Sequence, residues 1–134
     1  MKRKAVICCG TPAEDGDPAP EIPEQIQREL DAIGGLPALE NRIPSKKKLE
    51  ERSGICQALS DPIRLTILSI IWDQPLCVCV INRIMRLSGS KLSYHLNILK
   101  ESGLIEGKND GNWIIYSITG RGRRLLQCME YAKK

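Results

Sequence analysis

Two cysteines one residue apart, Cys77 and Cys79, stand in the run Pro75-Leu76-Cys77-Val78-Cys79-Val80-Ile81-Asn82-Arg83. A thiol pair at that spacing supports two chemistries: chelation of a soft, thiophilic ion, or disulfide formation under oxidation. Two thiolates leave a soft-metal site incomplete, so a further ligand must come from Cys8, Cys9, Cys56 or Cys128. Cys8 and Cys9 sit on an arm whose length lets it reach a partner subunit at modest entropic cost. The span from Cys77 to Arg83 also has the Cys-to-Arg spacing of phosphatase-type loops. Such loops need small residues around the anion, and the five between include no glycine. With no Cys-x-x-Cys pair, no glycine-rich nucleotide loop and His95 as its one histidine, the chain reads as a non-enzyme.

At 134 residues the chain is one domain in size. No apolar run approaches the roughly 20 residues that span a bilayer, and no apolar block follows the basic start Met1-Lys2-Arg3-Lys4. We expect a soluble, cytoplasmic protein with no membrane partner and with thiols that are free at least part of the time. Residues 1–43 carry eight acids and five bases, a net −3, whereas 44–134 carry 15 bases and eight acids, a net +7. The second part suits a polyanionic partner.

The elements that would position these residues follow from capping and periodicity. The Pro-, Gly- and acid-rich segment from Gly10 to Ile22 predicts a flexible arm, followed by a short helix from Glu24 to Ile33 that ends at Gly34-Gly35. We divide the chain into a cysteine-containing arm, 1–45, and a compact domain, 46–134. Ile55, Ala58 and Leu59 have helical spacing, Ser60-Asp61-Pro62 marks a stop and restart, and Ile63 to Trp72 reads as a buried helix. A short helix at about Ile81 to Leu87 should bury Ile84 and Leu87. Ser88 then caps a helix through Glu101 whose Leu92, Leu96 and Leu99 face inward. Strands from Leu104 to Lys108 and Asn112 to Ile118 flank the turn signal Asn109-Asp110-Gly111, and Thr119 caps a last helix with Leu125, Leu126 and Met129 inward.

Helices, helix-turn-helix, hairpin, helix: this order predicts a mainly α fold with a small β-hairpin wing, the winged helix-turn-helix. Its second helix fits the major groove of double-stranded DNA. Ser88 at its start and the outward Ser90, Lys91, Ser93, Tyr94 and Asn97 are hydrogen-bonding and none is acidic. Lys100 and the wing residue Lys108 suit phosphates. His95 reads either as a buried structural histidine or as a base contact.

Five segments carry a family resemblance. They are Ala58-Leu59-Ser60-Asp61-Pro62-Ile63-Arg64-Leu65, Leu76-Cys77-Val78-Cys79, Ser88-Gly89-Ser90-Lys91-Leu92-Ser93-Tyr94-His95-Leu96, Gly103-Leu104-Ile105 and Tyr116-Ser117. In order and without large gaps, over roughly Ser53 to Met129, they resemble the ArsR/SmtB family of metal-responsive transcriptional repressors. The resemblance implies a homodimer on a twofold operator, released when an inducer binds, with no cofactor required for DNA binding. It also makes Leu76-Cys77-Val78-Cys79 similar to the family's thiolate site for As(III), Sb(III), Cd(II) or Pb(II), and, since some members use arm cysteines from the opposite subunit, it makes Cys8 and Cys9 the first choice for the further ligand. Three departures stand out: Pro75 and Val80 replace the family's usual acids, and Asn82 occupies the place of a third cysteine found in some arsenic-responsive members. The family's other metal site, on the last helix, needs histidines and acids where this chain offers Glu130. These departures keep a second reading open, in which the thiols sense redox state without a metal.

Overall fold

The computed structural model describes residues 19–131, in two compact units divided after Ile43. In the first unit, α1 (Glu24–Ile33) closes on Gly34 at φ 109° and a short helix not foreseen, α2 (Leu36–Glu40), follows. The rest of the predicted arm, residues 1–18, lies outside the described residues.

In the second unit, Ser45 caps α3 (Lys46–Leu59) by accepting the Lys48 N–H, and Asp61 caps α4 (Pro62–Ile70) by accepting the Ile63 N–H at 2.7 Å. Pro62 takes the first helical position of α4, where no N–H is needed. β1 (Leu76–Cys77), α5 (Val78–Met85), α6 (Gly89–Glu101), β2 (Ile105–Asp110), β3 (Trp113–Ile118) and α7 (Gly120–Tyr131) complete the fold. This is the winged helix-turn-helix anticipated from the order of elements. Ala58, Ile67, Leu68, Ile71, Ile81, Leu92, Leu96, Leu99 and Leu104 form its core. α7 is anchored on the end of α4: the Arg123 guanidinium lies 4.6 Å from the Trp72 ring centroid and donates to the Trp72 carbonyl at 2.9 Å.

Several expectations are corrected. α5 starts at Val78, three residues earlier than predicted, so its inward stripe is Val78, Ile81 and Met85. Ile84 falls to one side of that stripe and is 52% exposed. Met129, expected inward, is exposed on α7. The hairpin turns at Gly111-Asn112, one residue later than the Asp-Gly signal suggested, because Asp110 pairs with Trp113. Gly111 has φ 60° and no non-glycine residue of the turn has positive φ, the arrangement of a turn with glycine at its first central position.

β1 was not foreseen at all. It pairs antiparallel with β3, giving the sheet order β1-β3-β2. Leu76 lies opposite Tyr116, and Cys77 opposite Ile115. Tyr116 and Ile105 are buried, so one face of the sheet covers the core. Alternation then puts Cys77, Ile115, Lys108 and Trp113 together on the outer face.

Candidate nucleic-acid interface and thiol site

Ser88 ends the turn before α6 and caps it, its hydroxyl accepting the Lys91 N–H at 3.3 Å. Leu92, His95, Leu96 and Leu99 pin the helix to the core. At helical spacing the direction opposite them carries Ser90 and Asn97, flanked by Ser93 on one side and by Tyr94 and Lys91 on the other. All five are exposed, as are Lys100 and Lys108. Tyr94 also borders a groove of about 620 Å³ shared with residues of α3 and α7.

His95 takes the buried one of its two readings, at 4% exposed. Arg64, itself 8% exposed, donates to the His95 Nδ1 at 3.1 Å. Arginine has donors only, so that nitrogen must accept. The same guanidinium donates from Nε to the Ala58 carbonyl at 2.8 Å and from its other terminal nitrogen to the Gln57 carbonyl at 2.9 Å. Arg64 therefore joins the end of α3 and the start of α4 to α6. Nearby, the Ile63 N–H, and after it the Arg64 guanidinium 3.7 Å away, hold the Asp61 carboxyl below its ordinary pKa.

The thiol pair sits where β1 passes into α5. Cys77 is the N-cap residue of α5 and Cys79 lies in its first turn. Their sulfurs meet in the placement of a disulfide, with Cα atoms 5.4 Å apart, inside the range that a Cys–Cys bridge can span. Cys56 on α3 and Cys128 on α7 are free and exposed, so neither is a core-packing residue. Cys8 and Cys9 lie outside the described residues. Among the described residues no group of three or more His, Cys, Asp or Glu is placed to hold a metal.

Three residues escaped the sequence reading. Arg64 was signalled by Pro62, whose missing N–H leaves the Ala58 carbonyl to be satisfied by something else. Trp113, 58% exposed on the wing, follows from strand parity once Tyr116 is known to face the core. Arg86, in the turn between α5 and α6, adopts φ 53°, for which no sequence signal exists.

The fold defines a class, the winged helix-turn-helix DNA-binding proteins. Comparison narrows it. The model of the bacterial regulatory protein arsR family matches residues 61–106. A Halobacterium salinarum protein named for the ArsR repressor of an arsenical resistance operon is 34% identical over 108 residues, covering 79% of this chain and 76% of that one. A cadmium resistance transcriptional regulatory protein, CadC, from Listeria innocua is 37% identical over 58% of this chain and 65% of its own. Among solved structures, the homodimeric winged helix-turn-helix domain of a possible ArsR-family regulator from Mycobacterium bovis aligns with TM-score 0.60 and 25% identity, over 69% of this chain and 89% of that one. The chain belongs to the ArsR family: it is a DNA-binding transcriptional repressor and not an enzyme. No helix among the described residues is long and apolar enough to cross a membrane.

Proposed function

We propose that the protein acts as a homodimer that holds a twofold operator through α6 and the wing, and lets go when a thiophilic ion binds Cys77 and Cys79. As(III) is the first inducer to consider; the names of the relatives above, arsenical and cadmium resistance regulators, support the class. Ser90, Lys91, Ser93, Tyr94 and Asn97 read bases, while Ser88, Lys100 and Lys108 contact phosphates. His95 serves the fold. DNA binding itself requires no cofactor.

The observation that carries this reading is the convergence of the Cys77 and Cys79 sulfurs at the β1–α5 junction. β1 is paired with the wing strand β3, and α5 is the first helix of the helix-turn-helix. An ion drawing both thiolates toward itself would pull on the wing through the Cys77–Ile115 pairing and on the motif through the first turn of α5. Thiolate sulfur suits soft ions, and the amides at a helix start favour its charged form.

The same contact favours one second reading, a redox switch. The two thiols would lose two protons and two electrons to a disulfide oxidant, which is reduced to two thiols as the Cys77–Cys79 bond forms.

Operator binding by fluorescence anisotropy with pre-reduced protein in anaerobic, reductant-free buffer separates these. As(III), Cd(II), Zn(II) and, separately, oxidised glutathione are titrated into wild type, Cys77→Ser/Cys79→Ser and Cys8→Ser/Cys9→Ser. Release by a soft ion in wild type and not in Cys77→Ser/Cys79→Ser supports the thiolate sensor. The Cys8→Ser/Cys9→Ser variant shows whether arm thiols complete the ligand set. Release by the oxidant alone transfers the reading to the redox switch, and release by none sinks both.

A further inference from the structure

The chain turns from α5 into α6 at Arg86, and we propose that this arginine is an operator-phosphate contact, kept at a position where the backbone would favour glycine. This rests on the DNA-binding role of the helix-turn-helix and adds a residue to it.

Arg86 is the one non-glycine residue with positive φ among those described, at φ 53° and ψ 43°. A side chain in this left-handed region crowds the following carbonyl, so helices usually close there on glycine or asparagine. Gly34 closes α1 in that way, at φ 109°. The cap itself is well formed, with the Arg86 N–H donating to the Asn82 carbonyl at 2.8 Å. Glycine would make the same hydrogen bond with no side-chain penalty.

Nothing inside the fold accounts for an arginine. Its side chain is exposed, and among the described residues its guanidinium has neither an ion pair nor a hydrogen bond. The surroundings suit an anion: residues 74–100 contain Arg83, Arg86, Lys91 and Lys100 and no Asp or Glu. Arg86 also lies two residues before Ser88, the cap of the reading helix. In a helix-turn-helix the first helix crosses the DNA backbone and the start of the second enters the groove, so the turn joining them runs beside phosphates. A guanidinium there presents a planar fork of donors to phosphate oxygens.

The test uses the full-length protein and a labelled duplex selected with wild type from a random-sequence library. Arg86→Gly and Arg86→Asn remove the guanidinium while suiting the left-handed backbone; Arg86→Lys keeps the charge. A dimer that loses one phosphate contact per subunit should show a log K against log salt slope shallower by about 1.8, and affinity near 0.15 M salt lower by roughly 30-fold. Arg86→Lys should retain the wild-type slope. The melting temperature of Arg86→Gly and Arg86→Asn should be unchanged or higher, a direction opposite to that of DNA affinity.

Unchanged affinity and slope in Arg86→Gly would overturn the proposal. So would a loss of affinity accompanied by a lower melting temperature, since the arginine would then be serving the fold. If wild type enriches no duplex at all, the DNA-binding role fails and this contact with it, an outcome distinct from a binding wild type with an indifferent variant.

Discussion

Replacing Arg64 by methionine should destabilise the protein by about 3 kcal/mol. Methionine keeps much of the apolar stem and brings no donor, so the loss isolates the guanidinium. Three acceptors are affected unequally. The Gln57 carbonyl keeps the Ser60 N–H at 3.2 Å and the Ser60 hydroxyl at 2.8 Å and loses little. The Ala58 carbonyl has no such reserve: the residue four positions on is Pro62, which has no N–H, and the Arg64 Nε–H at 2.8 Å takes its place. The His95 Nδ1 is buried and loses its donor too. Two acceptors left unpaired, at about 1–3 kcal/mol each with some relaxation, give the figure. The 3.7 Å approach to Asp61 adds little, because that carboxylate is screened by solvent. Urea denaturation followed by circular dichroism reads the free energy, and thermal melting should fall by about 12–24 °C. Adding His95→Leu should cost less than the sum of the two single substitutions, since each alone strands the other's partner. A loss under about 1 kcal/mol for Arg64→Met would refute the reasoning, because the acceptors would then be satisfied without the clamp.

Gly122→Ala should cost about 2 kcal/mol in the same assay, because a Cβ there would overlap the Leu104 carbonyl and lie 3.0 Å from Ile118; full stability would show that α7 shifts freely. The Asp61 carboxyl is held below its ordinary pKa, so its contribution is present at neutral pH and lost as pH falls through the lowered value. The stability difference between wild type and Asp61→Asn should therefore shrink below about pH 4, and a difference that persists in acid would count against the charged cap. Lys91→Ala should weaken operator binding by on the order of 1–3 kcal/mol without lowering the melting temperature; unchanged affinity would remove Lys91 from the reading face.

Where local chemistry decides structure, the chain was readable. Glu24 to Ile33 before Gly34-Gly35, and Ser88 to Glu101, were located because a cap or breaker flanks each. α5 was misplaced because its start has no side-chain cap: Cys77 occupies the N-cap with no side-chain hydrogen bond. Without that signal, the run Val78 to Ile84, apolar but for Asn82 and Arg83, admits more than one inward stripe. The wing's turn slipped by one residue for a related reason, since Asp-Gly and Gly-Asn both suit tight turns and strand register chooses between them.

The site was legible as chemistry and illegible as connection. Cys77 and Cys79 can be seen as a thiol pair from spacing alone, but their link to the wing is a two-residue strand, too short for any periodicity to reveal. What defines β1 is the Cys77–Ile115 pairing, 38 positions apart in the chain. Long-range pairing of this kind is invisible to local pattern, and so is the Arg64–His95 hydrogen bond between α4 and α6. The two links act on different parts of the interface. Arg64 and four buried residues hold α6 firmly to the core, whereas the wing is tied to the thiols through one short strand. An event at Cys77 and Cys79 therefore has its shortest mechanical path to the wing and to α5, and from α5 the turn at Arg86 leads on along the chain to α6.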